Sequence, residues 1–299
     1  MALFKKSRAA PAERPRRVLI VSAEIGPFTS GKASATIRGL ADQLAGQGAR
    51  VSVILPRYRR PEIDSLPLEP VLPELWVPLG GDKVKAAVFR APLGGGEAFF
   101  IDNPKYFLRD RVFGTEHGDY LDNDERFAFF SRAVLEFILK AKLDYDVLHC
   151  HNWPTALVPL FLGTHYAGKS RFRRTASVLS LQGLSAQGEF PPESLAFTGL
   201  NWDYFTPDQL ALNGKFSFLK AGMMFADALA GAAEECRGPA GAGSVAGGGG
   251  LAEILARRGD SCVTISPGAD AASGAEAARQ YLRLYEKALE TKKGGPHGR

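Results

Sequence analysis

Between Arg17 and Leu55 the sequence leaves room for one kind of fold. An apolar run, Arg17-Val-Leu-Ile-Val-Ser-Ala, passes through the loop Glu24-Ile-Gly-Pro-Phe-Thr-Ser-Gly-Lys-Ala-Ser into a stretch in which Ile37, Leu40, Ala41 and Leu44 recur at helical spacing. Gly46 and Gly48 close that helix before a second apolar strand, Val51-Ser-Val-Ile-Leu. Two such strands joined by a helix lie as parallel neighbours linked by a right-handed crossover, and parallel strands are covered on both faces. The alternation continues. A strand ends at His149, a helix starts near Thr155, a strand spans Thr175 to Leu181, and Phe216 to Leu229 reads as a helix passing into a strand. The pattern predicts an α/β chain with a doubly wound, Rossmann-like parallel sheet.

Two stretches vary the theme. Residues 56–104 are punctuated by Pro61, Pro67, Pro70, Pro73 and Pro78, with strands over Lys83 to Arg90 and Ala98-Phe-Phe-Ile, and read as an edge excursion of the sheet. Next, Asp122 and Glu125 stand at capping-box spacing ahead of Phe127, Phe130, Val134 and Ile138, which mark one buried face of a long helix.

Charge and cysteine usage narrow the function classes. Residues 1–17 hold Lys5, Lys6, Arg8, Arg14, Arg16 and Arg17 against Glu13, which accounts for the whole formal charge of +5 and leaves the body neutral. Nucleic acid is therefore not an expected partner, and residues 1–16 read as a disordered basic arm. Cys150, Cys236 and Cys262 are odd in number and lack CxxC spacing, so a reducing, cytoplasmic setting is expected rather than a disulfide framework. No stretch reaches the length of a membrane span.

Chemistry gathers at Tyr145-Asp-Val-Leu-His-Cys-His-Asn-Trp-Pro-Thr-Ala, where a short apolar strand runs into His149, His151, Asn152 and Trp153. Ligands of open α/β sheets sit at the carboxyl ends of the strands. The two histidines read either as satisfied polar groups at a strand end or as ligand contacts. A metal site is not expected, because Cys150 alternates to the other face and no third ligand follows at metal spacing. The loop Gly26-Pro-Phe-Thr-Ser-Gly31-Lys32 fits part of a phosphate-binding P-loop. However, Ala33 stands where the Mg²⁺-binding hydroxyl belongs, and Pro27 removes a backbone donor. A Gly-Lys pair at a helix N-terminus still suits an anion.

Several stretches together resemble the bacterial glycogen and starch synthases, glucosyltransferases that extend α-1,4-glucan from ADP-glucose. They are Pro27-Phe28, Phe100-Ile-Asp-Asn-Pro-Lys-Tyr-Phe, Gly118-Asp-Tyr-Leu-Asp-Asn-Asp-Glu-Arg-Phe-Ala-Phe-Phe-Ser-Arg-Ala, His149-Cys-His-Asn-Trp-Pro-Thr-Ala-Leu-Val-Pro-Leu and Gly214-Lys-Phe-Ser-Phe-Leu-Lys-Ala-Gly. The resemblance runs in order from about Arg17 to Asp270 and implies the N-terminal half of a GT-B glycosyltransferase. It divides the chain into the arm, a domain over 17–270 with a Gly/Ala-rich loop at 230–250, and a segment over 271–299. In that last segment Ala278, Tyr281, Leu282, Tyr285, Ala288 and Leu289 share a helical face, followed by a basic tail. This helix resembles the one that crosses back onto the first domain of a full-length synthase.

Departures from the family pattern fall on polar positions. Ser30-Gly31-Lys32-Ala33-Ser34 stands where the family has Lys-x-Gly-Gly-Leu, His151-Asn152-Trp153 where it has His-Asp-Trp, and Leu181-Gln182-Gly183 where it has Ile-His-Asn. The resemblance implies His151 as the catalytic contact to the transferred glucose. It implies Ser30, Gly31, Lys32, Asn152, Trp153 and Gln182 as the nucleotide-sugar or glucan positions, with no cofactor. The family's second, nucleotide-binding domain is expected to be missing from the chain, or encoded separately as a partner. Two functions follow: a glucosyltransferase domain inactive alone, or a non-catalytic glucan-binding, regulatory or scaffolding pseudoenzyme.

Overall fold

The computed structural model describes residues 16–182, 184, 187–232, 250–265 and 271–293. The expected basic arm up to residue 15, residues 233–249 of the Gly/Ala-rich loop and residues 294–299 of the basic tail lie outside the described residues. The strands of the main sheet are β1 Arg17–Val21, β2 Arg50–Pro56, β3 Glu69–Leu79, β4 Asp82–Leu93, β5 Gly96–Asp102, β6 Val147–His151, β7 Ala176–Ser180, β8 Ala228–Gly231 and β9 Cys262–Thr264. The principal helices are α1 Lys32–Gly46, α2 Asn123–Lys140, α3 Leu157–Gly163, α4 Phe218–Phe225, α5 Leu251–Arg258 and α6 Ala271–Lys293.

These nine strands form one sheet in the order β9-β8-β7-β6-β1-β2-β5-β4-β3. Pairing is parallel from β9 through to β5 and antiparallel across β5, β4 and β3. The edge excursion expected over 56–104 is thus an antiparallel margin on a doubly wound sheet. After β1 the chain builds first toward β2 and later returns to place β6 on the other side of β1. That reversal opens a crevice beyond the carboxyl ends of β1 and β6, where loops diverge instead of closing over each other.

Strand periodicity assigns each face. Val147, His149 and His151 share one side of β6, Leu148 and Cys150 the other, and all five are buried. The long helix α2 covers one face with an aromatic layer in which Phe99 and Phe137 sit 4.9 Å apart and Tyr106 and Phe129 4.9 Å apart. Arg126 is fully buried in that layer, and its Nη1 donates to the Val112 carbonyl (2.7 Å) and Asn123 Oδ1 (3.0 Å), anchoring the loop before α2. The capping box expected at Asp122 and Glu125 does not form. Asp122 receives both arms of the Arg109 guanidinium instead, and Glu125 accepts from Tyr106 and Lys105, because cationic and phenolic donors outside the helix out-compete its own amides.

The opposite face carries α1 and α6, which pack against each other, and α6 also covers β7 and β8. Gln47 Nε2, just past α1, donates to the Ala275 carbonyl at 2.7 Å. Along α6 the buried side is Ala277, Ala278, Leu284, Tyr285, Ala288 and Leu289, whereas Tyr281 and Leu282 are only partly covered. The face expected from the sequence is therefore rotated slightly, to bring Leu284 inward. Among the described residues no helix is long and apolar enough to cross a membrane.

Candidate active site

β1 is followed by Ser22, Ala23 and Glu24, and β6 ends at His151 and is followed by Asn152, so the crevice at the switch point begins with these side chains. Two cavities meet there. The smaller, about 250 Å³, is walled by Glu24, Phe113, Asp119, His151, Trp153 and Gln182 among others. The larger, about 820 Å³, runs between α1, the ends of β6, β7 and β8, and α6. His151, Asn152, Gln182 and Ile37 border both.

His151 is the central group. The residue is 3% exposed, and neither Nδ1 nor Nε2 has a hydrogen-bond partner among the described residues. Burial pushes its pKa down to about 3, so at neutral pH the ring is an uncharged imidazole with one donor and one acceptor. A buried polar group without a partner costs roughly 1–3 kcal/mol, so the ring is a candidate for a contact that the described residues do not supply.

Asn152 sets the turn that follows. Its φ of 60° and ψ of −175° fall in a region used almost only by glycine, at a cost of about 1–3 kcal/mol. Hydrogen bonds hold it there, one of them from the Thr155 hydroxyl to its carbonyl (3.2 Å). Its N–H donates to the Ser180 carbonyl (2.9 Å), its carbonyl accepts from the Thr155 N–H (3.2 Å), and its Oδ1 accepts from the Gln182 N–H (2.9 Å). An amide oxygen does this as well as a carboxylate would, so the turn is kept while the negative charge of the family pattern is absent.

Trp153 packs against Phe127 (5.1 Å), Phe113 (5.6 Å) and Phe190 (5.7 Å), forming a wall of the smaller cavity rather than an isolated ligand group. Gly188, at φ 58°, lets the chain pass the indole, since a Cβ there would stand 2.6 Å from the ring. Lys32 is exposed at the start of α1 and borders the larger cavity. Ser30 and Gly31 are exposed and border neither cavity. In the same loop the Gly26 N–H donates to the Ser34 carbonyl and the Thr29 N–H to the Ile25 carbonyl, so two amides that a P-loop would offer to phosphate are already engaged.

Sequence reasoning missed three contributors. Glu24 is half-buried, and desolvation raises its pKa despite a hydrogen bond with Ser34 and the charge of Arg60. Phe113 and Asp119 arrive from the loop before α2, more than thirty residues upstream of His151. The tyrosines of α6 were legible only as apolar cover, though their i, i+4 spacing on one helical face was visible. His149 lies beneath α6: its ring stacks 4.3 Å from that of His151, and both its nitrogens are occupied, Nδ1 by Tyr285 and Nε2 by Ser180. No group of three His, Cys, Asp or Glu side chains among the described residues is arranged to hold a metal ion.

Residues 17–256 match the family model of the starch synthase catalytic domain. Glycogen synthase 2 of Geobacter sulfurreducens is 37% identical over 256 residues, covering 85% of this chain and 52% of that protein. The glycogen synthase of Thermodesulfovibrio yellowstonii is 38% identical over 227 residues, covering 71% and 46% respectively. The catalytic domain of starch synthase IV from Arabidopsis thaliana, solved with ADP and acarbose, is similar at a TM-score of 0.75 and 25% identity, covering 87% of this chain and 53% of that one. The chain thus spans about half the length of the curated relatives it matches.

Proposed function

Since the chain belongs to the starch synthase catalytic domain family, we propose that it supplies the sugar-binding side of an α-glucan glucosyltransferase, with His151 as the hydrogen-bonding contact to the glucose unit. The observation that carries this is the His151 ring, buried between two cavities with neither nitrogen partnered among the described residues. A neutral imidazole donates to one sugar hydroxyl and accepts from another without a charge to neutralise. The aromatic wall of Phe113 and Trp153 beside it suits the apolar face of a pyranose.

Transfer from ADP-glucose also has to stabilise a departing diphosphate, and each well-placed donor there is worth about 3–4 kcal/mol. Among the described residues Lys32 is the one cation bordering the two cavities, and Asn152 contributes no charge. We therefore read the described residues as dependent on cations from elsewhere, such as those of a nucleotide-binding domain, and as inactive without them. The second reading, a non-catalytic glucan-binding or scaffolding module, is favoured by the same scarcity of positive charge.

The deciding experiment measures glucosyl transfer from labelled ADP-glucose to glycogen by the purified chain, alongside its binding of maltoheptaose. Binding without turnover supports the proposal. Turnover abolished by His151→Ala would show that the chain carries its own leaving-group stabilisation, with Lys32 the first residue to test, and failure to bind any glucan would remove the sugar-binding reading.

A further inference from the structure

The last helix reaches His151 through one intermediate ring. His149 is fully buried and both its nitrogens are engaged: Nδ1 lies 2.7 Å from Tyr285 OH on α6, and Nε2 lies 2.7 Å from Ser180 Oγ at the end of β7. The direction of these bonds follows from the chemistry of the groups. Tyr285 is fully buried, and among the described residues His149 Nδ1 is the partner of its hydroxyl. If Nδ1 carried the proton, the phenolic hydrogen would be a buried donor with no acceptor. Tyr285 therefore donates to Nδ1, and the neutral ring carries its proton on Nε2 and donates to Ser180 Oγ. An imidazolium has no lone pair to offer Tyr285, so the same bond favours the uncharged ring.

His151 stands in the opposite circumstance. Its backbone is pinned, opposite Ser180 in the pairing of β6 with β7 and with its carbonyl accepting from Thr155 Oγ1 at 2.9 Å. Its ring has no such anchor. Neither nitrogen has a partner among the described residues, and the residue borders both cavities. A ring so placed keeps one orientation by packing, and against it lies the His149 ring, 4.3 Å away and tilted by 35°.

We infer that Tyr285 is a positioning residue: by fixing the tautomer and plane of His149, it holds the His151 ring in the orientation that contacts the glucose unit. This rests on the sugar-binding reading above and adds to it a dependence on the last helix. The Tyr285–His149 bond spans 136 residues of sequence, so a segment far from β6 in the chain governs the geometry of the group at its end.

Tyr285→Phe in the full chain removes the hydroxyl and keeps the ring. Long-range proton–nitrogen spectra of ¹⁵N-labelled wild type should show His149 protonated at Nε2 and bare at Nδ1. In Tyr285→Phe that single tautomer should be lost and the His151 ring signals should move or broaden. Maltoheptaose should then bind about twofold or more weakly, because Kd scales inversely with the fraction of rings in the binding orientation and two exchanging orientations halve it. Leu289→Ala, one turn further along the same buried face, separates positioning from packing. It should lower the melting temperature yet leave the His149 tautomer and the maltoheptaose Kd as in wild type. A proton on Nδ1 in the wild type, unchanged His151 signals and Kd in Tyr285→Phe, or an equal loss of affinity in Leu289→Ala overturns the inference and leaves the sugar-binding reading standing. A wild type that does not bind maltoheptaose removes both the inference and the reading beneath it.

Discussion

Removing α6 should cost more stability than its distance in sequence suggests. Leu284, Tyr285 and Leu289 are buried against α1, β7 and β8, and Ala278 and Ala288 fill the gaps between them. Three large side chains at about 1.5–3 kcal/mol each give roughly 5–9 kcal/mol, an upper range because an unfolded chain already hides part of that surface. Even the low end is a large share of the 5–15 kcal/mol typical of a folded domain. For a domain of this size about 5 kcal/mol corresponds to a fall of roughly 10–20 °C in melting temperature. A chain ending at Ser273 and one ending at Lys293 should be melted side by side, by circular dichroism and light scattering. The longer should melt with the full chain, while the shorter should melt at least about 10 °C lower and aggregate as the wet apolar strip associates. Equal melting temperatures would refute the reasoning, because α6 would then be a free amphipathic segment rather than part of the core.

Three further outcomes are expected. Gly188→Ala should destabilise by roughly 2–4 kcal/mol in urea unfolding and shift tryptophan fluorescence, because its Cβ meets the Trp153 ring at 2.6 Å in a left-handed backbone position. Acid should unfold the protein partly through its histidines. His149 and His151 both have pKa values lowered by burial, so the unfolded chain binds protons that the folded chain refuses. Their contribution is intact above the ordinary value of 6.5 and is lost as pH falls below it, for His151 down to about 3. The slope is up to about 1.4 kcal/mol per pH unit for each ring, and His151→Gln should flatten it in urea midpoints taken from pH 7 to pH 4. Asn152→Ala keeps the unusual backbone but loses the bond to the Gln182 N–H, and should cost about 1–3 kcal/mol by the same assay, whereas Asn152→Asp should keep that bond and most of the stability.

The sheet was legible because apolar strands and 3.6-residue helices alternate, and handedness then leaves few topologies. The antiparallel margin was legible from prolines and short strands, although the bulged pairing of β3 with β4 was not. His151 and Asn152 drew attention in the sequence because they stand at the end of an apolar strand. Glu24, Phe113 and Asp119 were missed because the small cavity is assembled by loops far apart in sequence, and nothing local marks them as neighbours. The capping-box reading of Asp122 and Glu125 failed because Arg109, Lys105 and Tyr106 approach from another element and claim the carboxylates. Spacing within a helix carries no information about such partners. Tyr281 and Tyr285 gave an amphipathic signal in which the hydroxyls were invisible, since only the folded chain brings them to His149 and Ser180.

The most direct test of the account is calorimetric titration of maltoheptaose into the wild-type chain and into His151→Ala, with melting curves of both in hand. The account predicts saturable binding by the wild type and at least a tenfold loss in the variant, about 1.4 kcal/mol, while the fold stays intact because no group among the described residues depends on that ring for a hydrogen bond. Equal affinity in the two proteins would contradict it.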